Sequence, residues 1–362
     1  MKFKRQSKTA PCAAIDSRFK IWYKITQMSK LIIPEGYRSV LSVYETQNAI
    51  GTLKRFFEDN LAEKLNLKRV SAPLFVEPGT GINDDLSGIE RPVEFDIKGS
   101  RINAQIVQSL AKWKRVALHN YGFNVGEGLY TDMNAIRRDD LMDNLHSVYV
   151  DQWDWEKVID GASRNEELLR KTVTAIVNAI CDTAEMINRQ FPALKTMLSR
   201  DVKFITSQQL EDAYPLLTSK ERENACLKEH KTVFIMQIGD ILKSGNKHDD
   251  RAPDYDDWAL NGDILFWDEV LGCAIEISSM GIRVDEKSLD SQLTKAHCDH
   301  RRKLLYHKML LAGELPLTIG GGIGQSRLCM LLFRKAHIGE VQVSVWDKET
   351  VEGCRAAGIE LL

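Results

Sequence analysis

The chain has 362 residues, of which 43% are hydrophobic and 28% are charged, and its formal net charge is −2. These values are ordinary for a globular protein with a sizeable core, and they exclude a global basic field that would attract nucleic acid. No apolar run approaches membrane-spanning length. The seven cysteines include no CxxC pair, which predicts reduced thiols and a cytoplasmic location.

The first 27 residues are basic and lack the apolar core of a secretory signal. We interpret residues 1–27 as a disordered leader or a start-site artefact, with Met28 as a candidate natural start. Residues 28–362 contain no internal repeat, low-complexity segment or linker. The sequence therefore predicts a single domain over residues 28–362.

Hydrophobic periodicity and turn residues predict the elements of the N-terminal half. A polar loop over 78–88 separates the first helix and strand from the rest. The predicted helices cover 43–65, 110–121 and 156–190, and the predicted strands cover 68–72, 93–97, 102–107, 128–136 and 145–155, with 138–144 joining the last two as a long hairpin.

The C-terminal half alternates in the same way around a densely charged segment, 247–258. Its predicted helices cover 207–214, 219–230, 288–297 and 301–311, and its predicted strands cover 202–205, 233–238, 263–267, 274–278 and 341–345. Strands that are adjacent in sequence and joined by short links favour a mainly antiparallel sheet. The predicted fold is therefore α+β, with helices packed around that sheet.

A glycine-rich stretch near the C-terminus places Gly320, Gly321, Gly322 and Gly324 before an apolar, helix-like run. Glycine lets backbone approach a ligand closely, and a helix start offers free N–H groups to a phosphate. Arg327, in the first turn, adds a cation suited to phosphate. The pattern alone also fits a turn before an amphipathic helix.

Two further patterns place polar groups on strands. Alternation puts Gln152 and Asp154 on one face, where they need hydrogen-bond partners or a ligand such as an ammonium group, although mutual capping at a strand end fits equally. Asp263 and Glu276, on consecutive strands, form a possible pair of Mg²⁺ ligands, or simply exposed carboxylates. Arg283 after a strand of small residues is a candidate carboxylate-binding fork or a surface arginine.

Conventional nucleotide motifs are missing from the sequence. It has no GxxxxGK[ST] phosphate loop, and no GxGxxG follows a strand. The sequence thus argues against a P-loop ATPase or a Rossmann dehydrogenase. It favours arginine-rich phosphate binding on an antiparallel sheet.

Longer sequence strings indicate a resemblance to a known family. From about Met28 to Leu362 the chain resembles ammonia-dependent asparagine synthetases, the single-domain relatives of class II aspartyl-tRNA synthetases. The strings that carry the resemblance are Asn83-Asp84-Asp85-Leu86-Ser87-Gly88, Ser109-Leu110-Ala111-Lys112-Trp113-Lys114-Arg115, Gly126-Glu127-Gly128-Leu129-Tyr130-Thr131, the segment 145–155, Arg251-Ala252-Pro253-Asp254-Tyr255-Asp256-Asp257-Trp258, Ser278-Ser279-Met280-Gly281-Ile282-Arg283 and the glycine-rich stretch.

The resemblance implies a class II synthetase-like catalytic domain that converts L-aspartate, ATP and ammonia into L-asparagine, AMP and pyrophosphate through a β-aspartyl-adenylate. It also implies a homodimer, because Pro73 matches the first class motif at the dimer interface. The chain lacks an appended anticodon-binding domain, so no tRNA partner is expected. Membrane association is not expected either.

The same resemblance implies how ATP is bound. Arg137 would hold the α-phosphate, and Arg327 would stack on adenine and reach the γ-phosphate. Gly322 and Gly324 would make room for backbone beside the nucleotide. Magnesium is the implied cofactor, and Asp263 and Glu276 match the family's metal carboxylates.

For aspartate, Lys114 and Arg283 match positions that grip its two carboxylates, and which of them holds which carboxylate stays open. Gln152, Asp154 and Asp84 match positions near its ammonium group.

Free ammonia is the expected nitrogen donor. The chain begins Met1-Lys2-Phe3 and has no N-terminal cysteine nucleophile of the glutamine-dependent type. Asp84 and Asp256 are candidates for the group that accepts the ammonium proton. The link between Trp258 and Asn261 is shorter than the family pattern, which puts the loop near Asp256 in question.

Two alternatives belong to other functional classes. A tRNA-binding paralogue would need strong electrostatic affinity, which the near-neutral charge argues against. A catalytically dead relative would be expected to have lost a motif arginine or a metal carboxylate, and Arg137, Arg327, Asp263 and Glu276 are all present.

Overall fold

The computed structural model describes residues 31–84, 86 and 90–362. The expected leader over residues 1–27 and the candidate start at Met28 lie outside the described residues. In the part of the chain that is described, no helix is long and apolar enough to cross a membrane.

Eleven strands of the described residues form two sheets. In chain order they are β1 (Leu67–Arg69), β2 (Phe75–Val76), β3 (Glu94–Ile97), β4 (Ile102–Ile106), β5 (Gly128–Ile136), β6 (Tyr149–Val158), β7 (Lys203–Thr206), β8 (Thr232–Met236), β9 (Asp256–Asp268), β10 (Cys273–Arg283) and β11 (Thr318–Gly324). The large sheet has the order β1-β5-β6-β11-β10-β9-β8-β7, and the small one has the order β2-β4-β3. Only the edge pairs β1–β5 and β7–β8 are parallel, so the mainly antiparallel prediction is confirmed.

Helices pack around the large sheet. They are α1 (Val43–Leu65), α2 (Ala111–Tyr121), α3 (Glu166–Gln190), α4 (Ser207–Ala213), α5 (Ser219–His230), α6 (Glu286–Lys295), α7 (Leu305–Leu311), α8 (Gln325–Leu332) and α9 (Lys348–Ala356), with short 3₁₀ turns at Asp299–Lys303 and Ile338–Glu340. A capping box at Ser42 and Glu45 begins α1 by satisfying its free N–H groups. The apolar stripe of α1 then packs into the main core, where the Phe57 ring lies 4.6 Å from Trp153.

Strand β6 shows how the sequence separates core from site. Trp153 and Trp155 are fully buried in the main hydrophobic core. Because successive side chains of a strand point to opposite faces, Gln152, Asp154 and Glu156 face the other way. One face of the strand therefore stabilises the fold, and the other supplies polar groups to a site.

Three element predictions are wrong. The glycine-rich stretch is strand β11, hydrogen-bonded between β6 and β10, and not a loop. The long helix begins at Glu166, since Glu156 still belongs to β6. Residues 341–345 form no strand, and Val343 and Val345 are 70% and 78% exposed, so the apolar run lacks a partner strand.

Candidate active site

A cavity of about 620 Å³ lies on the polar face of the large sheet. Strands β6, β9, β10 and β11 form its floor, and α2, α8 and the segments 137–147 and 249–255 contribute to its walls. Of the residues predicted from the sequence, it brings together Lys114, Arg137, Gln152, Asp154, Asp256, Asp263, Glu276, Arg283, Gly322, Gly324 and Arg327.

Asp84 is the one predicted residue that does not line this cavity. It is 2% exposed, and its Oδ1 accepts the backbone N–H of Leu86 at 3.1 Å. Asp84 nevertheless lies close to the cavity, because its partner Leu86 lines it. Burial and then the charge of Asp84 raise the pKa of the cavity residue Tyr255 well above its usual value. Asp84 is thus buried beside the cavity and is not among the described residues that line it.

Two arginines enter the cavity from neighbouring elements. Arg137 follows β5, where its backbone N–H continues the hairpin by donating to Val148 at 2.9 Å. Arg327 lies in the first turn of α8, and its Nη1 donates to the backbone oxygen of Glu276 at 3.1 Å. Arginines suit a polyphosphate, and the roles expected for Arg137 and Arg327 remain predictions.

The N-terminus of α8 is already occupied. The backbone N–H and the hydroxyl of Ser326 both donate to the carboxylate of Asp151, at 3.1 and 2.8 Å. Asp151 therefore takes the position that an anion would occupy at this helix start. The interpretation of the glycine stretch as a helix-terminal phosphate cradle is wrong.

Asp263 and Glu276 lie on the adjacent strands β9 and β10, where a β-bulge follows Glu276. Burial, opposed by Arg251, and the negative charge of Glu276 raise the pKa of Asp263 to about 7. Burial would also raise the pKa of Glu276, but Arg327 and Lys220 outweigh it and lower that pKa. The two carboxylates repel one another, and an added cation would relieve that repulsion.

The donor set around this pair fits a hard cation only in part. Among the described residues, no group of three histidine, cysteine or acidic side chains could hold a metal ion. Mg²⁺ commonly uses one or two carboxylates and completes its shell with phosphate oxygens and water. Asp263 and Glu276 fit that requirement when a polyphosphate shares the cavity.

Lys114 projects from α2 into the opposite end of the cavity. It is completely buried, pairs with Asp154, and donates to the backbone oxygen of Gly321 at 2.8 Å. Burial lowers the pKa of Lys114, although the charge of Asp154 opposes the shift. Asp154 keeps one carboxylate oxygen, Oδ2, without a hydrogen-bond partner among the described residues. That oxygen is available to a ligand.

Arg283, at the end of β10, lies next to Lys114 in this buried group. Its Nε and Nη2 donate to Glu156 at 2.9 and 2.8 Å, and its Nη1 donates to Asp256. Burial would lower the pKa of Arg283, but the charges of Glu156 and Asp256 outweigh burial and raise it. The guanidinium is therefore a permanent, firmly held cation.

Sequence reasoning assigned no role to several polar residues at the site, among them Arg251, Tyr255 and Glu156. Arg251 and Tyr255 line the cavity, and Arg251 donates to Asp263 at 2.7 Å. Glu156 does not line the cavity but contacts the lining residue Arg283, and it is 0% exposed. The alternation of the polar residues Gln152, Asp154 and Glu156 along the strand could have identified Glu156 as a site residue. It was missed because the sequence pattern assigned Glu156 to the start of a helix.

Comparison with known proteins agrees with this geometry. A model of the family described as aspartate-ammonia ligase matches residues 44–358. The chain belongs to the aspartate–ammonia ligase family. Its similar relatives include the aspartate–ammonia ligases of Clostridium perfringens strain 13 (60% identity, covering 92% of this chain and 100% of the relative), Ruminiclostridium cellulolyticum (58%, 92% and 100%) and Lactobacillus johnsonii (58%, 92% and 99%). The chain is thus a member of a family of carbon–nitrogen ligases.

Solved structures that share the fold are class II aminoacyl-tRNA synthetases. The Entamoeba histolytica asparaginyl-tRNA synthetase in complex with asparaginyl-adenylate aligns with a TM-score of 0.59 at 12% identity, over 83% of this chain and 66% of that one. The Pyrococcus horikoshii enzyme, also complexed with asparaginyl-adenylate, gives 0.59 at 14%, over 82% and 68%. The expected class II catalytic fold is confirmed.

Proposed function

We propose that this chain makes L-asparagine from L-aspartate, ammonia and ATP, through a β-aspartyl-adenylate, and releases AMP and pyrophosphate. One observation carries the proposal in the structure: a single cavity has arginines and a carboxylate pair at one end and a buried lysine–arginine–acid group at the other. Family membership supports the overall reaction. The roles of individual residues below are part of the proposal.

ATP binds at the end that contains Arg137 and Arg327. Arg137 holds the α-phosphate, where negative charge grows as the aspartate β-carboxylate oxygen attacks phosphorus and pyrophosphate leaves. Arg327 stacks on adenine and reaches the γ-phosphate. Gly322 and Gly324, on the cavity floor, keep the strand low enough for the substrates to lie above it.

Asp263 and Glu276 would hold Mg²⁺ beside the phosphates. When bound, the ion neutralises charge on the triphosphate and orients it. Burial, and to a smaller extent the negative charge of Glu276, raise the pKa of Asp263. A bound cation would favour the charged form of both carboxylates, which supports this assignment.

Aspartate binds at the opposite end with its carboxylates on Lys114 and Arg283. Its ammonium group donates to the unpartnered Oδ2 of Asp154 and to Gln152 on the same face of β6. These contacts orient the β-carboxylate towards the α-phosphorus, and such positioning supplies a large part of the barrier reduction.

In the second step, the nitrogen of ammonia attacks the β-carbonyl carbon and the bond to AMP breaks. Ammonium must first lose a proton, and a carboxylate near the mixed anhydride can attract the cation and accept that proton. Asp256 lines the cavity, whereas Asp84 is not among the described residues that line it. The geometry therefore favours Asp256 over Asp84 for direct contact.

We further propose a cytoplasmic homodimer. Pro73 lies between β1 and β2, and apolar side chains are exposed beside it: Leu74 is 51% exposed and Phe75 is 44% exposed. Phe75 packs edge-on against Phe95, so the small sheet presents an apolar surface. Light scattering should give the mass of two chains, and Phe75→Glu should shift it towards one.

The deciding experiment measures AMP, pyrophosphate and asparagine with aspartate and ATP, in parallel with ammonium, glutamine or tRNA. The proposal expects all three products with ammonium only. ADP in place of AMP, output without ammonia, or aminoacylated tRNA would contradict it. The last outcome would favour the tRNA-dependent alternative.

A further inference from the structure

A buried glutamate beside the aspartate end of the cavity is the least explained charged group near the site. Glu156 is 0% exposed and lies against both cations of the aspartate end: it accepts hydrogen bonds from Nε and Nη2 of Arg283, and its carboxylate lies 3.9 Å from Nζ of Lys114. Thr318 also donates to it at 2.7 Å. A buried carboxylate beside a carboxylate-binding site would repel the substrate, so its presence needs a reason.

The pattern of hydrogen bonds supplies that reason. A guanidinium offers five N–H groups in a planar fork. Glu156 takes the side edge formed by Nε and Nη2, and Asp256 takes a hydrogen of Nη1. Among the described residues, one hydrogen of Nη1 and one of Nη2 then have no acceptor. The end edge, between Nη1 and Nη2, can bind a second carboxylate with two parallel bonds, as the side edge binds Glu156.

Strand β11 is shaped around this carboxylate. Gly320 pairs with Glu156 in the register of β11 and β6. A Cβ atom at Gly320 would overlap the Glu156 carboxylate, coming within 2.5 Å of its Cδ, and would lie 2.8 Å from Nη2 of Arg283. Only glycine leaves the carboxylate and the guanidinium in these positions.

We infer that Glu156 is a positioning residue for aspartate recognition: it holds Arg283 so that the end edge of the guanidinium faces the substrate carboxylate, and Gly320 provides the space for this arrangement. The inference rests on the proposed function, since it assumes that Arg283 binds aspartate. It also assigns Gly320, the first glycine of the stretch, a role in aspartate binding and not in nucleotide binding.

Two substitutions test the inference by independent routes. Glu156→Gln keeps the shape but sets amide hydrogens against guanidinium hydrogens, so Arg283 turns. Gly320→Ala keeps the charge and displaces the carboxylate. Each should raise the KM for aspartate roughly 10- to 100-fold, the loss expected for one charge-assisted pair, while the KM for ATP stays within about twofold.

The direction of the change in the KM for aspartate distinguishes a positioning role of Glu156 from a purely electrostatic one. If Glu156 acted only through its charge, Glu156→Gln would remove repulsion and lower the KM for aspartate. A lowered or unchanged KM for aspartate in Glu156→Gln overturns the inference. A purely structural role also overturns it, and would show as a reduced active fraction with both KM values unchanged.

A compensating pair of changes tests the contact itself. Glu156→Asp withdraws the carboxylate by about one methylene and so makes room for a methyl group at position 320. Gly320→Ala should therefore cost much less in the Glu156→Asp background than in the parent chain. Strictly additive effects would contradict the proposed contact.

Matched controls lie outside the cavity. Glu211→Gln removes the charge of another buried glutamate, which pairs with Arg222 at 3.3 Å. Gly161→Ala adds a methyl group where nothing lies within 4 Å. Both should leave the KM for aspartate unchanged. If the parent chain makes no asparagine, the proposed function fails; if it does and the Glu156 variants behave as the controls do, only this inference fails.

Discussion

Asp154→Asn should weaken the binding of aspartate and leave the binding of ATP nearly unchanged. Asp154 is 3% exposed, pairs with Lys114, and has Oδ2 free for the substrate ammonium. Asparagine keeps the shape but removes the charge. A hydrogen bond to a charged group contributes about 1.5–3 kcal/mol, so the KM for aspartate should rise roughly 10- to 100-fold, with the KM for ATP nearly unchanged.

The same substitution should make aspartate binding more sensitive to pH. Burial already lowers the pKa of Lys114, and the charge of Asp154 opposes that shift. Without Asp154 the pKa of Lys114 falls further, and a lysine is cationic only below its pKa. The ratio of the KM for aspartate in the variant to that in the parent should therefore increase as pH rises.

Steady-state asparagine formation gives this ratio when the concentration of free ammonia is held constant across the pH series. Asp257→Asn is the matched control, because Asp257 is a buried aspartate that pairs with Arg164 outside the cavity. The reasoning is refuted if Asp154→Asn and Asp257→Asn raise the KM for aspartate equally. It is also refuted if the ratio falls with pH.

Four further outcomes are expected. Arg137→Ala should reduce aspartate-dependent pyrophosphate exchange by about 10²–10³ with an unchanged circular dichroism spectrum, and near-full exchange would disprove its role. At saturating aspartate and ATP, Asp256→Asn should lower ammonia-dependent turnover more than Asp84→Asn does; equal or unchanged rates would remove Asp256 as the proton acceptor. Asp263→Asn should raise the Mg²⁺ concentration needed for half-maximal AMP release. In electron paramagnetic resonance titrations with ATP and no aspartate, the variant should also bind Mn²⁺ more weakly than the parent does. Phe57→Ala should lower the free energy of unfolding by about 3–5 kcal/mol in urea titrations, because the residue is fully buried against the sheet.

The β5–β6 hairpin could be predicted because its signals are local. Alternating apolar residues and a polar connection occur within one stretch of chain, and the structure has β5 at Gly128–Ile136 as expected. The boundary at Glu156 was missed because Glu156-Lys157-Val158-Ile159-Asp160 also reads as the start of a helix. What keeps Glu156 in the strand is its pairing with Leu129 and Gly320, which are distant in sequence.

The partners of the site's charges could not be predicted for the same reason. The motif strings placed Lys114 and Arg283 in one site but did not say which acids would hold them. That depends on the register across β6, β11, β10 and β9, and on a bulge near the end of β10. Local patterns identify the groups of a site, whereas long-range register decides which of them meet.

The strand register also explains why the stretch Gly320–Gly322 consists of glycines. Close contacts crowd both faces of it: on the polar face a Cβ at Gly320 would meet Glu156 and one at Gly322 would overlap Gln152, and on the core face one at Gly321 would lie 2.6 Å from Cβ of Met280. Glycine weakens a strand, so three in succession carry a cost in stability. The missing side chains leave the polar face of β11 to Glu156, Gln152 and the substrates. An alanine at any of these positions should therefore disturb aspartate recognition or the packing of the sheet.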